Sequence, residues 1–295
     1  MKDFVITCCS TVDLTKEKLD QKQIHYIPFH YQMDGMEYRD DFGKTMPLDG
    51  FYQRMKEGAT PTTSQVNSEE YIEFWEPFVQ NGQDILHITL SSGISGTLNS
   101  AVLAQRYLVE KYPNAKIYVV DSLGASSGYG LLVEMTAELK ASGKNIEECR
   151  DWVEEHKLNV HHWFFSTDLT SYKRGGRISA TSFFLGQLLK ICPLLNMDHL
   201  GRLIPRKKIR TKEKVIQEIV NQMEKYAEGG TAYQGKCFIC HSAVQEDANH
   251  VKHLIESRFP HLVGAVEIYS IGTTIGSHTG PGTVALFFMG SKRID

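Results

Sequence analysis

The feature that most constrains the fold of this chain is the alternation of short apolar runs with longer amphipathic segments in its first half. The runs have the length of single strands, and the segments carry apolar residues at helical spacing, the second opened by Ser68 as its cap. Strands that alternate with helices return to the same edge of a sheet and lie parallel. The predicted strands are 4–8, 24–29, 84–90 and 116–121, and the predicted helices are 48–56, 68–79, 97–111, 131–142 and 146–156.

The pattern changes near residue 157. Two apolar runs, 191–197 and 203–209, flank a turn at Met197–Arg202, which indicates an antiparallel hairpin. The other predicted elements are strands 160–167, 236–240, 263–269 and 283–289 and helices 212–226 and 246–259. We therefore predict two domains: residues 1–157 form an α/β domain with a mostly parallel sheet, and residues 158–295 form an α+β domain with a mixed sheet.

Length and charge narrow the functional classes. A chain of 295 residues is long enough to enclose a sizeable apolar pocket. Its net charge of −3 gives no reason to expect a nucleic-acid partner. No uncharged apolar stretch approaches the roughly 18 residues of a membrane span, and Met1–Asp3 leads into a strand instead of a signal peptide. We expect a cytoplasmic protein.

Cysteine and histidine patterns give little support for metal or redox chemistry. The six cysteines lack the spacing of a disulfide framework, and the CxxC of Cys237 and Cys240 lies in an apolar strand without a second pair. Four histidines, His161, His162, His250 and His253, lie on a predicted strand or helix face with no metal-binding motif. We predict no metal site and no cofactor.

The segment Ile88–Thr97 passes from a strand through a Gly/Ser turn into a helix. Unpaired N–H groups at a helix start, close approach at glycine and the hydroxyls of Ser92, Ser95 and Thr97 suit a carboxylate or phosphate. The same residues also suit simple helix capping, and the segment alone does not decide between the two interpretations. It is not a nucleotide-binding loop, because the chain contains no GxxxxGK[ST] motif.

Further polar clusters lie at the ends of predicted strands or, for Pro61–Ser64, in a polar loop between two predicted helices. Loops after the carboxyl ends of parallel strands usually bind ligands. The clusters are Cys9–Thr11, Pro61–Ser64, Asp121–Ser122 and Ser126–Gly128. The second half adds two glycine-rich segments with cations, Ser171–Ser179 and Gly272–Thr283. His278 is expected to face a ligand, while Arg177 has two possible partners, an anion or Asp168. Such a site holds an anion through neutral donors but offers few carboxylates for acid–base catalysis.

A serine hydrolase is the alternative to a binding protein. Ser95 as nucleophile, His278 as base and Asp121 as its partner would supply a triad. Glycine follows Ser95 directly, whereas a nucleophile elbow of the GxSxG type places it one residue later, where this chain has Thr97. The motif therefore supports acyl-ester or thioester hydrolysis only weakly.

Five segments in this order resemble the DegV family, whose members look like fatty-acid-binding proteins, including the acyl-carrier subunit of bacterial fatty-acid kinase. The resemblance spans nearly the whole chain and implies two α/β domains with one long acyl chain between them. Its cytoplasmic partners would be a long-chain fatty acid and a kinase subunit, and transient contact with a membrane is compatible with this role. The chain itself would carry no catalytic residue. The segments are Thr63–Gln65, Ser91–Thr97, Asp121–Ser122, Gly175–Ser179 and His278–Gly282.

The resemblance also implies roles for individual residues. The fatty-acid carboxylate would be bound by Thr63, Ser64, Ser95, Gly96, Arg177 and His278. Apart from the resemblance, the apolar side chains of Ile94, Phe183, Phe184 and Leu188 suit the lining of an acyl-chain pocket, and they suit ordinary core packing equally well. The family usually has Asp-Ser after the first strand, where this chain has Cys9-Ser10, so no role is predicted for that loop.

A basic run lies outside these motifs. Arg206, Lys207, Lys208 and Arg210 place four cations within five residues of an otherwise acidic protein. Lysines on an edge strand discourage aggregation, but a carrier must also meet its kinase. We expect this run to form the docking surface for the kinase.

Overall fold

In the computed structural model, which describes residues 3–178 and 191–295, strands and helices alternate through the first half and mix in the second. The strands are β1 (Phe4–Cys9), β2 (Ile24–Ile27), β3 (His30–Met33), β4 (Met36–Arg39), β5 (Thr62–Ser64), β6 (Asp84–Thr89), β7 (Ile117–Asp121), β8 (Val160–Ser166), β9 (Cys192–Met197), β10 (Leu203–Ile209), β11 (Cys237–His241), β12 (Val266–Ser270) and β13 (Thr283–Met289). The helices are α1 (Lys16–Gln21), α2 (Leu48–Lys56), α3 (Ser68–Gln80), α4 (Thr97–Lys111), α5 (Ser126–Ala141), α6 (Ile146–His156), α7 (Thr170–Gly175), α8 (Lys212–Tyr226), α9 (Gln245–Arg258) and α10 (Thr273–Thr279).

The predicted parallel sheet is confirmed. Its strand order is β2-β1-β6-β7, and all three pairings are parallel. Both faces are buried, because alternate residues of β1 enter different cores: Ile6 lies in one cluster, whereas Val5 lies with Trp75 and Ala104 of α3 and α4 in another. This arrangement directs the loops after β1, β6 and β7 to one edge of the sheet.

A three-stranded antiparallel sheet, β4-β3-β5, was not predicted. Its strands have three or four residues, and the polar segment that includes Thr62–Ser64 looked like a loop because strand propensity over so few residues carries little signal. The sheet is stabilised by its packing on α2, where Tyr31 contacts Phe51 in an edge-to-face arrangement. It carries Thr63 at one edge.

The second half forms the predicted mixed sheet. Its order is β10-β9-β8-β13-β11-β12, with antiparallel pairs throughout except for the parallel pair β11 and β12. The hairpin of β9 and β10 is confirmed and contains an irregularity between Pro205 and Lys207. Together with the parallel sheet and its helices, this confirms the α/β fold class.

Helix α5 lies between the two large sheets. It begins at Ser126, five residues before the predicted start, because its first turn is rich in serine and glycine and carries no apolar period. Its buried residues, such as Leu132, pack in one continuous core with β1 and β6 on one side and β8 and β13 on the other. The domain boundary at 157/158 stays a prediction, although the change of sheet falls between β7 and β8.

The start of α3 corrects one predicted cap. Asn67, and not Ser68, is the N-cap: its side chain accepts a hydrogen bond from the Glu70 N–H, and the Glu70 carboxylate accepts one from the Asn67 N–H. Asparagine with glutamate three residues later is a capping box, so both orphan donors are satisfied.

Candidate functional site

A cavity of about 380 Å³ lies where the loop edge of the parallel sheet meets the mixed sheet. One wall is formed by the turns after β6 and β7, a second by the inward faces of β8 and β13, and a third by β5 and α10. Apolar side chains cover most of this surface. They are Phe29, Leu90, Ile94, Ala125, Phe164, Met197, Leu203, Ile271, Ile275, Ala285 and Phe287.

Polar groups concentrate on the wall formed by β5, α10 and the turn before α4. Thr63 Oγ1 and His278 Nε2 are 2.7 Å apart, which links the small sheet to α10. Ser64 and Ser95 also line the cavity. Arg177 follows α7 and lies at the same wall, where its guanidinium donates to the carbonyls of Gly175 at 2.6 Å and Ile94 at 3.4 Å. The structure therefore brings hydroxyls, an imidazole and one exposed cation together.

His278 is a neutral imidazole in this environment. Burial, with a smaller contribution from the Arg177 charge, lowers its pKa to about 4. Among the described residues its buried Nδ1 has no hydrogen-bond partner, and it lies against Gly175, where a Cβ would be 2.5 Å away. An unpaired lone pair costs less than an unpaired N–H, so we assign the proton to Nε2, which donates to Thr63 Oγ1. The Thr63 hydroxyl proton is then free to point into the cavity.

In the turn before α4, helix capping leaves a hydroxyl available to a ligand. Gly96 is the N-cap of α4, and Ser95 Oγ accepts a hydrogen bond of 3.3 Å from the Thr97 N–H. Because a hydroxyl that accepts one bond still has its proton, Ser95 can also donate into the cavity. Thr97 points away from it, with its hydroxyl 2.8 Å from the Tyr71 hydroxyl in the core.

The predicted site residues are only partly gathered at the cavity. Thr63, Ser64, Ile94, Ser95, Arg177 and His278 line it. Gly96 is not among the lining residues, and instead approaches Gln65. The predicted lining residues Phe183, Phe184 and Leu188 lie outside the residues that the structure describes. The alternative pairing of Arg177 with Asp168 does not form, because the Asp168 carboxylate accepts from Thr170.

The geometry of a serine-hydrolase triad is not assembled. His278 Nε2 bonds to Thr63, and within residues 3–178 and 191–295 its Nδ1 has no carboxylate partner to orient the ring. Asp121 accepts instead from the backbone N–H groups of Ser92 and Leu123. The hydroxyl of Ser95 therefore has no imidazole base bonded to it in this arrangement.

Several lining residues were missed by the sequence analysis. His162 lines the cavity with its ring fully bonded: Nδ1 lies 3.0 Å from the Val160 carbonyl, and Nε2 accepts from the Ala125 N–H. On the same face, His162 is the register partner of Phe287, and Phe164 is the partner of Ala285. In the sequence, alternate residues of β8 and β13 already share one face of each strand. Which of the two faces lines the cavity becomes clear only once the pairing of the strands is known.

The first loop and the CxxC pair are buried. Cys9 Sγ lies 3.3 Å from the Tyr71 hydroxyl, and neither residue lines the cavity. All six cysteines are buried free thiols, including Cys237 and Cys240 on β11, and burial raises the pKa of both. The described ranges contain no group of three or more His, Cys, Asp or Glu side chains placed to hold a metal ion.

The basic run lies on β10, at the edge of the mixed sheet. Arg206 donates to Asn196 Oδ1 at 2.7 Å, and Lys207 forms an ion pair of 2.5 Å with Glu218 of α8. Lys208 and Arg210 are exposed. Within the ranges that the structure covers, no helix is long and apolar enough to span a membrane.

Comparison with known proteins finds relatives of full length. A family model described as "Uncharacterised protein, DegV family" matches residues 3–291. A DegV domain-containing protein of Clostridium perfringens is 39% identical over 293 residues, which is 99% of each chain. The structure of a fatty-acid-binding DegV family protein from Thermus thermophilus has 27% identity and a TM-score of 0.87, and covers 99% of this chain and 100% of its own. That of the fatty acid binding protein DegV from Bacillus subtilis has 29% identity and a TM-score of 0.83, with the same coverage.

Proposed function

This chain belongs to the DegV family, and from that premise we propose that it binds one long-chain fatty acid in the cavity, with the carboxylate at Thr63, Ser95 and His278. The observation that carries the proposal is the distribution of chemistry in the cavity: hydroxyls and one imidazole gather at one wall, and apolar side chains cover most of the remainder. That division matches a molecule with a small anionic head and a long apolar tail. Two solved relatives described as fatty-acid-binding proteins support the ligand class.

The apolar tail would supply most of the binding free energy. At ~0.8 kcal/mol per buried CH₂, about 15 methylenes gain roughly 12 kcal/mol before ordering costs are subtracted. The head needs only enough donors to replace the water that its carboxylate loses. In the proposed complex the hydroxyls of Thr63 and Ser95 supply them, and Nε2–H of His278 orients the Thr63 hydroxyl.

Arg177 would act differently from the hydroxyls. Its guanidinium is exposed and is held over the turn before α4 by the carbonyls of Ile94 and Gly175. In this position its charge attracts the carboxylate toward the opening, while solvent screens much of its contribution to affinity. We therefore assign to Arg177 a role in carboxylate capture more than in retention.

The finer part of the proposal is presentation of the bound acid to a separate kinase. A carboxylate oxygen of the ligand would attack the γ-phosphorus of ATP held by that kinase, ADP would leave, and an acyl phosphate would remain on this chain. Hydroxyl donors suit this step because they stabilise the carboxylate without a tight ion pair that would reduce its nucleophilicity. The chain lacks a P-loop and a kinase-type glycine loop, so the nucleotide is assigned to the partner.

Mass spectrometry of an organic extract of the purified protein tests the ligand class. We expect about one fatty acid per chain, and extracts with no fatty acid, together with no uptake of added fatty acid, would contradict the proposal. The carrier role is tested separately by supplying ATP and Mg²⁺ to the loaded protein alone. No acyl phosphate should form until a kinase subunit is added, and its formation by this chain alone would refute the carrier role.

A further inference from the structure

The short helix α10 brings His278 to the cavity but is too short to be stable by itself. It has seven residues, Thr273–Thr279, and isolated helices of fewer than about 12 residues are marginal in water. Its Gly272 N-cap offers no side chain, so the N–H groups of its first turn need acceptors from elsewhere in the chain. What holds this end of the helix therefore decides where His278 lies.

Two buried carboxylates from the first half of the chain supply those acceptors. Asp13 Oδ1 accepts a hydrogen bond of 2.9 Å from the Gly272 N–H, and Asp40 Oδ2 accepts one of 3.2 Å from the Thr274 N–H. Asp13 is 2% exposed and Asp40 is 1% exposed. A Cβ at Gly272 would lie 2.7 Å from Asp13 Oδ1 and 3.4 Å from Asp40 Oδ1, so both carboxylates lie against the same short piece of backbone.

The two acids connect α10 to the elements that build the rest of the site. Asp13 follows β1 and also accepts a hydrogen bond from the Ser126 hydroxyl at the start of α5. Asp40 follows β4, and its N–H donates to the Phe29 carbonyl at 2.8 Å. Since β5 with Thr63 belongs to the same small sheet as β4, the Asp40 bond to Thr274 and the Thr63 bond to His278 join the same two elements at two points.

Burying these two carboxyl groups side by side costs folding free energy. Burial raises the pKa of both carboxyls, and each lies in an environment shaped by backbone N–H groups and hydroxyls, with no cation among the principal influences on it. Two buried acids side by side oppose ionisation, whereas an apolar pair would pack at lower cost. Such a departure from ordinary core packing is expected where a functional group must be held in place.

We propose that Asp13 and Asp40 are positioning residues, which hold the first turn of α10 so that His278 meets Thr63 at the carboxylate-binding wall. Neither acid is among the residues that line the cavity, so neither would contact the proposed ligand. Both act through α10. The proposal rests on the proposed function only in its consequence for affinity, because the position of His278 can be measured without any ligand.

The test compares Asp13→Ala and Asp40→Ala with Asp13→Asn and Asp40→Asn in the full-length protein. The control is Asp41→Ala, which removes the neighbouring carboxylate that accepts from the Thr45 N–H at the surface. The ring ¹⁵N signals of His278 in delipidated protein report its bond to Thr63, with Thr63→Val marking the broken state. Affinity is measured with oleate, and folding by thermal melting.

We expect both alanine variants to move the His278 signals toward those of Thr63→Val and to bind oleate about tenfold more weakly. The asparagine variants keep an oxygen acceptor, so they should retain the signals and come within about threefold of the original affinity. Folded alanine variants with unchanged His278 signals would overturn the proposal, as would asparagine variants whose signals are displaced. If an alanine variant does not fold, Asp13→Leu or Asp40→Leu, which fills the same space without an acceptor, replaces it and should show the same displaced His278 signals. Absence of oleate binding to the unsubstituted protein would refute the proposed function but leave the signal comparison valid.

Discussion

The polar wall of the cavity relies on neutral donors. Thr63, Ser95 and His278 carry no charge at neutral pH, since burial keeps the imidazole unprotonated, and Arg177, the one cation that the described residues place at this wall, is exposed. Neutral donors stabilise a carboxylate through short, directed hydrogen bonds and require little compensation when the site is empty. The removal of a single hydroxyl should therefore lower the fatty-acid affinity measurably.

We predict that Thr63→Ala and Ser95→Ala each weaken fatty-acid binding by about 1.5 to 3 kcal/mol, since each removes a donor to a buried carboxylate. Thr62→Ala is the matched control, because Thr62 is exposed and is not a lining residue. Titration of delipidated protein with a fatty acid measures the difference. Affinity equal to that of Thr62→Ala in both variants would remove these hydroxyls from the headgroup site.

The lowered pKa of His278 predicts how the site responds to pH. With a pKa of about 4, roughly 1% of the imidazole is protonated at pH 6, so its charge should not change between pH 8 and pH 6. In delipidated protein the His278 Cε1–H resonance, assigned with His278→Gln, should stay constant over this range. An inflection near pH 6.5 would show an ordinary, solvated histidine and contradict the neutral state of the buried imidazole.

At the scale of elements, the β9–β10 hairpin supports the turn before α4. Ser91 Oγ donates to the Gly201 carbonyl at 2.8 Å, and Gly93 packs against the same turn. The buried Arg293 guanidinium donates to the carbonyls of Asp198 and Leu123, each at 2.8 Å, and so ties the hairpin to the loop after β7. The position of Ser95 thus depends on a turn from the other half of the chain.

Gly201→Ala should therefore disturb the site from a distance. Gly201 has φ of +68°, and a Cβ there would overlap Ser91 Oγ. We expect a loss of about 1 to 3 kcal/mol in unfolding free energy, together with weaker fatty-acid binding. Gly35→Ala, at φ of +77° in open space, isolates the backbone strain and should leave binding unchanged. Equal effects of the two substitutions on binding would contradict the supporting role of the hairpin.

The sequence predicts those elements in which apolar residues recur regularly over enough positions to be detected. Helix α4 and strand β13 have the predicted bounds, Thr97–Lys111 and Thr283–Met289, because each buries a regular set of apolar positions. By contrast, β5 and α10 are short and polar, and their conformations depend on contacts with distant residues such as Tyr31 and Asp40. The sequence therefore indicates Thr63 and His278 as candidates, but their hydrogen bond follows only from the tertiary structure.

At the scale of the whole molecule, one apolar core joins the two halves. Buried residues of β1, α5, β8 and β13 belong to one cluster, with Leu132 of α5 at 1% exposure. We predict a single calorimetric transition whose enthalpy equals the van't Hoff enthalpy, because neither half can unfold without exposing this core. Leu132→Ala should lower its midpoint without splitting it, at a cost of about 2 to 5 kcal/mol. Two separate transitions would instead support independent domains at the 157/158 boundary.

The basic strand β10 is tested at the same scale. We predict that charge reversal at Arg206, Lys207 and Arg210 slows kinase-dependent phosphorylation, most strongly at low salt, and leaves bound fatty acid unchanged. The effects of Arg206 and Lys207 should be smaller than that of Arg210, since Asp295 and Glu218 already offset part of their charge. Reversal at Lys111, Lys116 and Lys144, which each pair with a glutamate, is the control of equal net charge. Unchanged phosphorylation would show that the charges of β10 serve only to protect the sheet edge from aggregation. Loss of bound fatty acid would show that they contribute to the cavity instead.

The burial of all six thiols has a consequence for the chemistry of the protein surface. A thiol reacts with oxidants and electrophiles as its thiolate, and burial raises the pKa of Cys8, Cys9, Cys237 and Cys240. The folded protein thus presents no reactive thiol to peroxide, to glutathione disulfide or to a neighbouring chain. Ligand binding and contacts with partners should therefore not depend on the redox state of the surroundings. The thiols would react with oxidants only after the protein unfolds.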